Sequence, residues 1–190
     1  MKLKSLALIL GLSMSLQSCV FVAGAAAGAA AIAVVYDHRT IANSVQDNDL
    51  AMQINEKLNG SPLLKDSHVS ATVFNRVVLL TGEAPSQRAR EEAQNLAQTV
   101  PNIGKIYNQI TIQGPTSSLT RTSDSWITTK IKAQMLTVED LKSSSIKVVT
   151  ENGTVFLMGI VTKEQADTSV DIARQVSGVQ KVIKVFQYKN

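Results

Sequence analysis

The sequence predicts an α+β protein in which one α-β-β-α-β unit occurs twice in tandem, each copy placing two helices on a three-stranded mixed sheet. Three observations predict this fold. Apolar residues recur every four positions in the predicted helices, and Ile146, Val148, Val155 and Leu157 mark the two arms of a predicted hairpin. The second half of the chain also matches the first when it is shifted back by 77 positions. A length of 190 residues is sufficient for two small domains.

The clearer copy begins with a helix that is followed by a β-hairpin. Ile127, Ile131 and Met135 share one helix face. Asp124 stands just before them, where its side chain could cap free backbone N–H groups. Asn152-Gly153 lies between the two hairpin arms, and both residues tolerate the positive φ of a tight turn.

The other copy contains the same landmarks in weaker form. The shift of 77 places Asp124 on Asp47, Asn152 on Asn75 and Gly159 on Gly82. The first unit then covers residues 47–112, of which 103–112 are the predicted third strand, and the second unit covers 122–190. The polar residues 36–46 and the Gly-, Pro- and Ser-containing residues 113–121 are predicted to be linkers. Thr162 and Gln165 have the spacing of a capping box at the start of a helix.

The N-terminus is typical of an export signal. Residues 1–18 place two lysines before a short apolar stretch, as a signal peptide does. Leu16-Gln17-Ser18-Cys19 resembles the lipobox of bacterial lipoproteins, so Cys19 is the predicted lipidation site and the first residue of the mature chain. Cys19 is also the only cysteine, which excludes an intrachain disulfide. The alternative is an ordinary secretory signal with an incidental cysteine.

Residues 19–46 are predicted to be a tether that starts at the lipidated cysteine. Residues 20–35 are apolar but consist largely of alanine and glycine, and they are short for a membrane span. A transmembrane helix that packs through Gly24 and Gly28 is the alternative. Val20 stands where an aspartate favours retention in the inner membrane of Gram-negative bacteria, and therefore indicates the outer membrane.

Two such units behind a lipobox resemble the dual BON-domain lipoproteins of the Gram-negative outer membrane. The resemblance is carried by the runs WITTK at 126–130, TENG at 150–153, VFLMG at 155–159 and VSGV at 176–179. It implies two BON domains, binding of anionic phospholipids such as phosphatidylglycerol and cardiolipin, and a location on the periplasmic face of the outer membrane. It also implies action at the division site and support of outer-membrane integrity, including the barrel-assembly machinery.

The charge pattern indicates which unit meets lipid. Residues 47–112 hold six Lys/Arg against seven Asp/Glu, net −1, whereas residues 121–190 hold ten against seven, net +3. Trp126 falls on Asp49 of the first unit, and an aspartate position is rarely a core position, so this only tryptophan is predicted at the surface. Indole rings and lysines both favour an anionic headgroup layer. The predicted phospholipid-binding residues are Arg121, Trp126, Ile127, Thr129, Lys130, Ala133, Gln134, Leu136 and Thr137.

Other interpretations remain open at this point. Trp126 could pack at a domain edge, against the first unit, while the lysines only solvate a helix. The first unit, or the groove between the units, could serve a protein adaptor that docks an envelope complex. An enzyme is not predicted, because His38 and His68 lack partners at metal-ligand spacing and no Gly-rich phosphate loop occurs. No cofactor is predicted, and an exported protein does not meet nucleic acid.

Overall fold

The structure is a computed structural model that describes residues 38–139, 141 and 143–189, with side chains from residue 43 onward. The predicted signal peptide, the predicted lipidation site at Cys19 and the segment 20–35 lie outside the described residues. Both predicted repeats lie within one compact unit, Gln46–Asn190. Within the described part of the chain, none of the helices combines the length and the apolar character that crossing a membrane requires.

Both repeats follow the predicted α-β-β-α-β order. The first domain consists of α1 (His38–Gly60), β1 (His68–Phe74), β2 (Val77–Ala84), α2 (Gln87–Gln98), β3 (Ile106–Asn108) and β4 (Thr111–Ile112), with a 3-10 helix at Pro62–Leu64. The second consists of α3 (Ser118–Leu136), β5 (Ile146–Glu151), β6 (Thr154–Val161), α4 (Lys163–Gln175) and β7 (Lys181–Tyr188), with a 3-10 helix at Ser143–Ser145. In each domain the first two strands are antiparallel and the third segment joins the second in parallel, which confirms the mixed sheet.

Both hairpins close through a two-residue turn. Asn75-Arg76 and Asn152-Gly153 have positive φ angles of 47°, 63°, 50° and 69°, as expected for the turn type whose twist matches the strands. The prediction for Asn152-Gly153 is therefore confirmed. The predicted capping box of α4 is confirmed as well, because Thr162 and Gln165 exchange both hydrogen bonds.

Two helices begin earlier than the sequence predicts. α1 begins inside the predicted linker 36–46, and α3 begins at Ser118, inside the predicted linker 113–121. The hydroxyl of Ser117 caps α3 by accepting the backbone N–H of Thr120 at 3.3 Å. Asp124 thus lies in the second turn of the helix, and its predicted role as the helix cap is wrong. Serine and threonine are modest helix formers that also favour caps and turns, so the sequence 116–123 does not reveal where the helix starts.

The third strand of the first domain also differs from the prediction. The strand predicted over residues 103–112 is divided into β3 and β4, so the first sheet has four strands rather than three. Asn108 explains the break, since its side chain donates to the carbonyl oxygen of Arg90 on α2 (3.1 Å) and accepts the N–H of Ile110 (3.2 Å). Ile110 consequently enters the core, whereas Ile112, predicted on the same side, is 52% exposed.

Three apolar clusters stabilise the compact unit. One lies between the first sheet and α1 with α2, and the second lies between the second sheet and α3 with α4. The third cluster lies between the two sheets and contains Val77, Leu79, Phe156, Met158 and Val185. The layers therefore run helices, sheet, sheet, helices. Because every residue of the three clusters lies within 46–190, we expect a polypeptide of residues 36–190 to fold by itself.

Candidate functional site

An apolar stripe runs along the solvent side of α3. Trp126 is 53% exposed, which confirms its predicted place at the surface, and Leu119 is 80% exposed two helical turns before it. Exposed Ala133 continues the stripe one step of seven residues after Trp126, and Leu136 is 73% exposed near the end of the helix. Side chains seven residues apart lie on the same helix face. The exposed basic residue Lys130 lies one helical turn after Trp126. We call Leu119, Trp126, Ala133 and Leu136, together with Lys130, the α3 stripe.

The hydroxyl groups along this side of α3 are satisfied within the helix. Thr122, Thr129 and Thr137 donate their hydroxyls to backbone carbonyl oxygens of Ser118, Ser125 and Gln134 at 3.0, 2.9 and 2.8 Å. A hydroxyl that already has a partner costs far less free energy to remove from water than a free one. These three threonines can therefore leave water with little loss of hydrogen bonding.

The structure does not bring together all the predicted phospholipid-binding residues. Ile127 is 1% exposed and belongs to the core, where its side chain packs near Gly178, so it cannot contact lipid. Arg121 is exposed but lies about 140° around the helix from Trp126, since each residue advances about 100°. Its guanidinium donates to the carbonyl oxygen of Thr116 at 3.2 Å.

The remaining predicted residues lie on or beside the α3 stripe. Thr129, Lys130, Ala133 and Thr137 are exposed, and Gln134 is half-buried. Leu119 is a residue that the sequence interpretation missed, because the segment 113–121 was predicted as a linker. The spacing of seven residues between Leu119 and Trp126 is the signal that could have identified it.

Asp124 joins α3 to the hairpin of its own domain. The carboxylate is 6% exposed and accepts the backbone N–H groups of Asn152 at 2.8 Å and Gly153 at 2.9 Å. In the first domain Asp47 accepts the N–H groups of Asn75 and Arg76 at 2.6 and 2.9 Å in the same way. Each repeat thus uses a helix aspartate to hold its tight turn.

The turn of the second domain also contacts the first domain. The side-chain amide of Asn152 donates to Glu83 Oε1 at 2.7 Å, and Glu83 is fully buried at the end of β2. Glu83 accepts two further bonds from the backbone N–H and the hydroxyl of Thr116, at 3.4 and 3.3 Å. This network ties α3, its hairpin turn and the first domain together through one asparagine.

A cleft of about 400 Å³ opens beside this network. It is lined by His68 of β1 and by residues of α3 and β5, namely Arg121, Asp124, Ser125, Thr128, Thr129, Thr150 and Glu151. Burial, followed by the charges of Glu83 and Asp124, raises the pKa of Glu151 to about 7, while Arg121 opposes the shift. Among the described residues, no group of three or more His, Cys, Asp or Glu side chains is arranged to hold a metal ion.

Replacing Glu151 by glutamine is expected to make the stability of the fold less dependent on pH. The pKa of Glu151 lies above its ordinary value of 4.5 in the folded protein, so folding favours the protonated form. The stability of the wild type therefore falls as the pH rises from about 4.5 to about 7. Thermal unfolding above pH 7 should show the Glu151→Gln variant melting a few degrees higher than the wild type. Glu56→Gln, at an exposed position of α1, is the control, and an equal pH dependence in all three proteins would contradict this prediction.

Comparison with known proteins places this architecture in a family. Residues 46–114 and 123–190 match the BON domain. The chain is 38% identical over 187 residues to the outer membrane lipoprotein DolP of Haemophilus influenzae, covering 98% of this chain and 96% of that protein. It is 39% identical over 153 residues to the 21 kDa hemolysin of Actinobacillus pleuropneumoniae, covering 80% and 79%.

A more distant relative is the osmotically-inducible protein Y of Escherichia coli, with 27% identity over 145 residues, 75% of this chain and 72% of that protein. Each of the two segments that match the BON domain covers one domain of the structure, apart from the first turns of α1 and α3. The chain therefore belongs to the family of BON-domain proteins and carries two BON domains, as the resemblance in its sequence implies.

Proposed function

We propose that the chain is an outer-membrane lipoprotein that is anchored on the periplasmic face through acylated Cys19 and binds anionic phospholipid through its second BON domain. Its role is to support outer-membrane integrity, at the division site. The Haemophilus relative bears the name outer membrane lipoprotein. The sequence Leu16-Gln17-Ser18-Cys19 supplies the acylation site that such a location requires.

The observation that carries lipid binding is the α3 stripe. A helix that lies on a bilayer places apolar and aromatic side chains at the acyl boundary and basic side chains among the headgroups. Leu119, Trp126 and Leu136 supply the first group and Lys130 supplies the second. The exposed indole is free to enter a headgroup layer, which favours lipid contact over packing at a domain edge.

The contact is expected to be weak and reversible. Each basic residue near an anionic surface contributes about 1 kcal/mol, and a single tryptophan with two leucines adds only a small apolar area. An acyl anchor at Cys19 compensates for low affinity, because it keeps α3 at a high local concentration near the same membrane. Anchor and helix together allow the domain to dock and release without leaving the membrane.

Combining Trp126→Ala with Lys130→Glu is expected to abolish binding of residues 36–190 to phosphatidylglycerol vesicles. Reversing one charge changes the interaction by about 2 kcal/mol, and loss of the indole removes the main apolar contact. Co-sedimentation with vesicles of phosphatidylglycerol or phosphatidylcholine measures the loss. For the wild type, Trp126 emission should shift to the blue with phosphatidylglycerol alone and less so in high salt.

The matched control is Met52→Ala with Lys57→Glu on α1 of the first domain. Met52 is 71% exposed and Lys57 is exposed, so this pair removes an apolar side chain and reverses a charge without touching α3. The control should bind like the wild type. If the control variant loses vesicle binding and the variant with Trp126→Ala and Lys130→Glu keeps it, the lipid-binding surface lies on the first domain and the proposal fails.

A protein adaptor is the second candidate function. Met52 is exposed between Asp49 and Glu56, so α1 presents an apolar side chain in an acidic setting that an anionic bilayer would repel. Such a surface favours a protein partner, for instance a component of the barrel-assembly machinery. Crosslinking to that machinery that persists in the variant with Trp126→Ala and Lys130→Glu, but is lost in the variant with Met52→Ala and Lys57→Glu, would support an adaptor.

A further inference from the structure

The cleft beside α3 places a titratable group next to the proposed lipid contact. Arg121 and Thr129, two of the predicted phospholipid-binding residues, line the same cleft as Glu151. Glu151 precedes Asn152 in the hairpin turn that Asp124 holds against α3. The backbone of Glu151 is thus held in place relative to α3.

The groups that face Glu151 come from every element around it. Asp124 and Arg121 belong to α3, Glu83 to β2 of the first domain, and His68 to β1. The carboxylates of Asp124 and Glu83 accept hydrogen bonds from the turn and from Thr116. The side-chain carboxyl of Glu151 accepts no hydrogen bond from any described residue, so its ionised form would add a third negative charge without a donor.

We propose that proton binding at Glu151 is coupled to the docking of α3 on anionic lipid, with the neutral carboxyl favouring the docked state and the carboxylate weakening it. This inference rests on the proposed function. Ionised Glu151 places a negative charge in the cleft that Thr129, beside the α3 stripe, also lines, and an anionic surface at the stripe repels this charge. Protonation removes that negative charge and leaves Lys130 as the charged residue of the α3 stripe that faces the membrane.

Coupling of this kind acts in both directions. If a proton strengthens docking, docking must strengthen proton binding by the same factor. The pKa of Glu151 is already raised to about 7 by burial and by Glu83 and Asp124, so the group can respond near neutral pH. An anionic surface disfavours a new carboxylate, and docking therefore takes up protons.

The test measures vesicle affinity of residues 36–190 at about pH 5.5 and about pH 8.5 at constant ionic strength. One unit charge near an anionic leaflet changes affinity about fivefold, so the wild type should bind phosphatidylglycerol vesicles about fivefold more weakly at the higher pH. The Glu151→Gln variant should bind phosphatidylglycerol vesicles tightly at both pH values. Glu56→Gln and His68→Gln, which remove a distant carboxyl and the imidazole of the same cleft, should keep the pH dependence of the wild type.

Proton uptake gives an independent readout. Mixing the wild type with phosphatidylglycerol vesicles in weakly buffered solution near pH 7 should raise the pH, and Glu151→Gln should not. If Glu151→Gln keeps the full pH dependence, or if His68→Gln abolishes it, the coupling is overturned while lipid binding stands. If the wild type binds these vesicles at neither pH, the proposed function fails and the coupling fails with it.

Discussion

Replacing Gly82 by alanine is expected to destabilise the protein by about 4 kcal/mol or more, enough to unfold a small domain. Gly82 lies in β2 opposite Val69 and has a φ of 110°. A Cβ atom there would lie 1.9 Å from the carbonyl oxygen of His68 and 2.9 Å from its carbonyl carbon. Both atoms belong to the backbone of the paired strand, so no side chain can rotate to relieve the clash.

Urea unfolding of the wild type and the variant measures this effect. Gly114→Ala is the matched control, because nothing lies within 4 Å of a Cβ at Gly114, and it should change the free energy of unfolding by less than about 0.5 kcal/mol. Gly159→Ala, where a Cβ would lie 2.6 Å from the carbonyl oxygen of Ser145, should also be strongly destabilising. If the Gly82→Ala protein unfolds at the same urea concentration as the wild type, the prediction is wrong, because β1 and β2 can then move apart at Gly82 without loss of stability.

Replacing Asp124 by alanine is expected to reduce the free energy of unfolding by about 3 kcal/mol. The carboxylate accepts two backbone N–H bonds from the turn, and hydrogen bonds to a charged group contribute about 1.5–3 kcal/mol each. The variant leaves the N–H of Gly153, a buried residue, without its acceptor. Denaturant unfolding gives the free energy, and hydrogen exchange of the Asn152 and Gly153 amides should become faster.

Two further variants place this effect in context. Asp47→Ala removes the equivalent pair of bonds in the first domain and should cost a similar free energy. Asp167→Ala removes an exposed carboxylate that pairs with Lys184 at 3.2 Å, and should cost less than about 1 kcal/mol. If Asp124→Ala costs no more than Asp167→Ala, the bonds from Asp124 to the turn contribute little to stability.

The sequence predicted the features that depend on local pattern. Ile127, Ile131 and Met135 are buried as their spacing predicts, and the Asn-Gly turn forms where its backbone preferences favour it. Alignment of the two repeats placed Trp126 at the surface, because an aspartate occupies the equivalent position. The predictions for the buried helix face and for the turn succeeded because helix periodicity and turn chemistry act over a few residues.

The features that the sequence interpretation missed depend on contacts between distant residues. Asp124 resembles a helix cap in sequence, yet it binds a turn 28 residues away, and Asp47 binds its own turn at the same separation. That repeated separation is a signal that was present in the alignment. The partnership of Glu83 with Asn152 spans 69 residues and exists only because the domains dock, so no local pattern predicts it.

The packing of one sheet on the other was also missed, although the sequence carries a signal for it. Residues 77–80 and 155–158 are continuous apolar runs, and such runs are typical of strands that are buried on both faces. One face of each sheet meets its own helices and the other meets the second sheet. An alternating pattern would have indicated one solvated face, and neither run alternates.

The back-to-back sheets give the protein two outward sides that cannot touch the same plane. If α3 docks on a bilayer as proposed, the helices of the first domain face away from it, roughly 30 Å distant across four stacked layers. A lipid surface and a protein bound at α1 would therefore not compete for space. If both proposed contacts form, the chain would act as a spacer that holds a protein partner at a fixed height above the membrane.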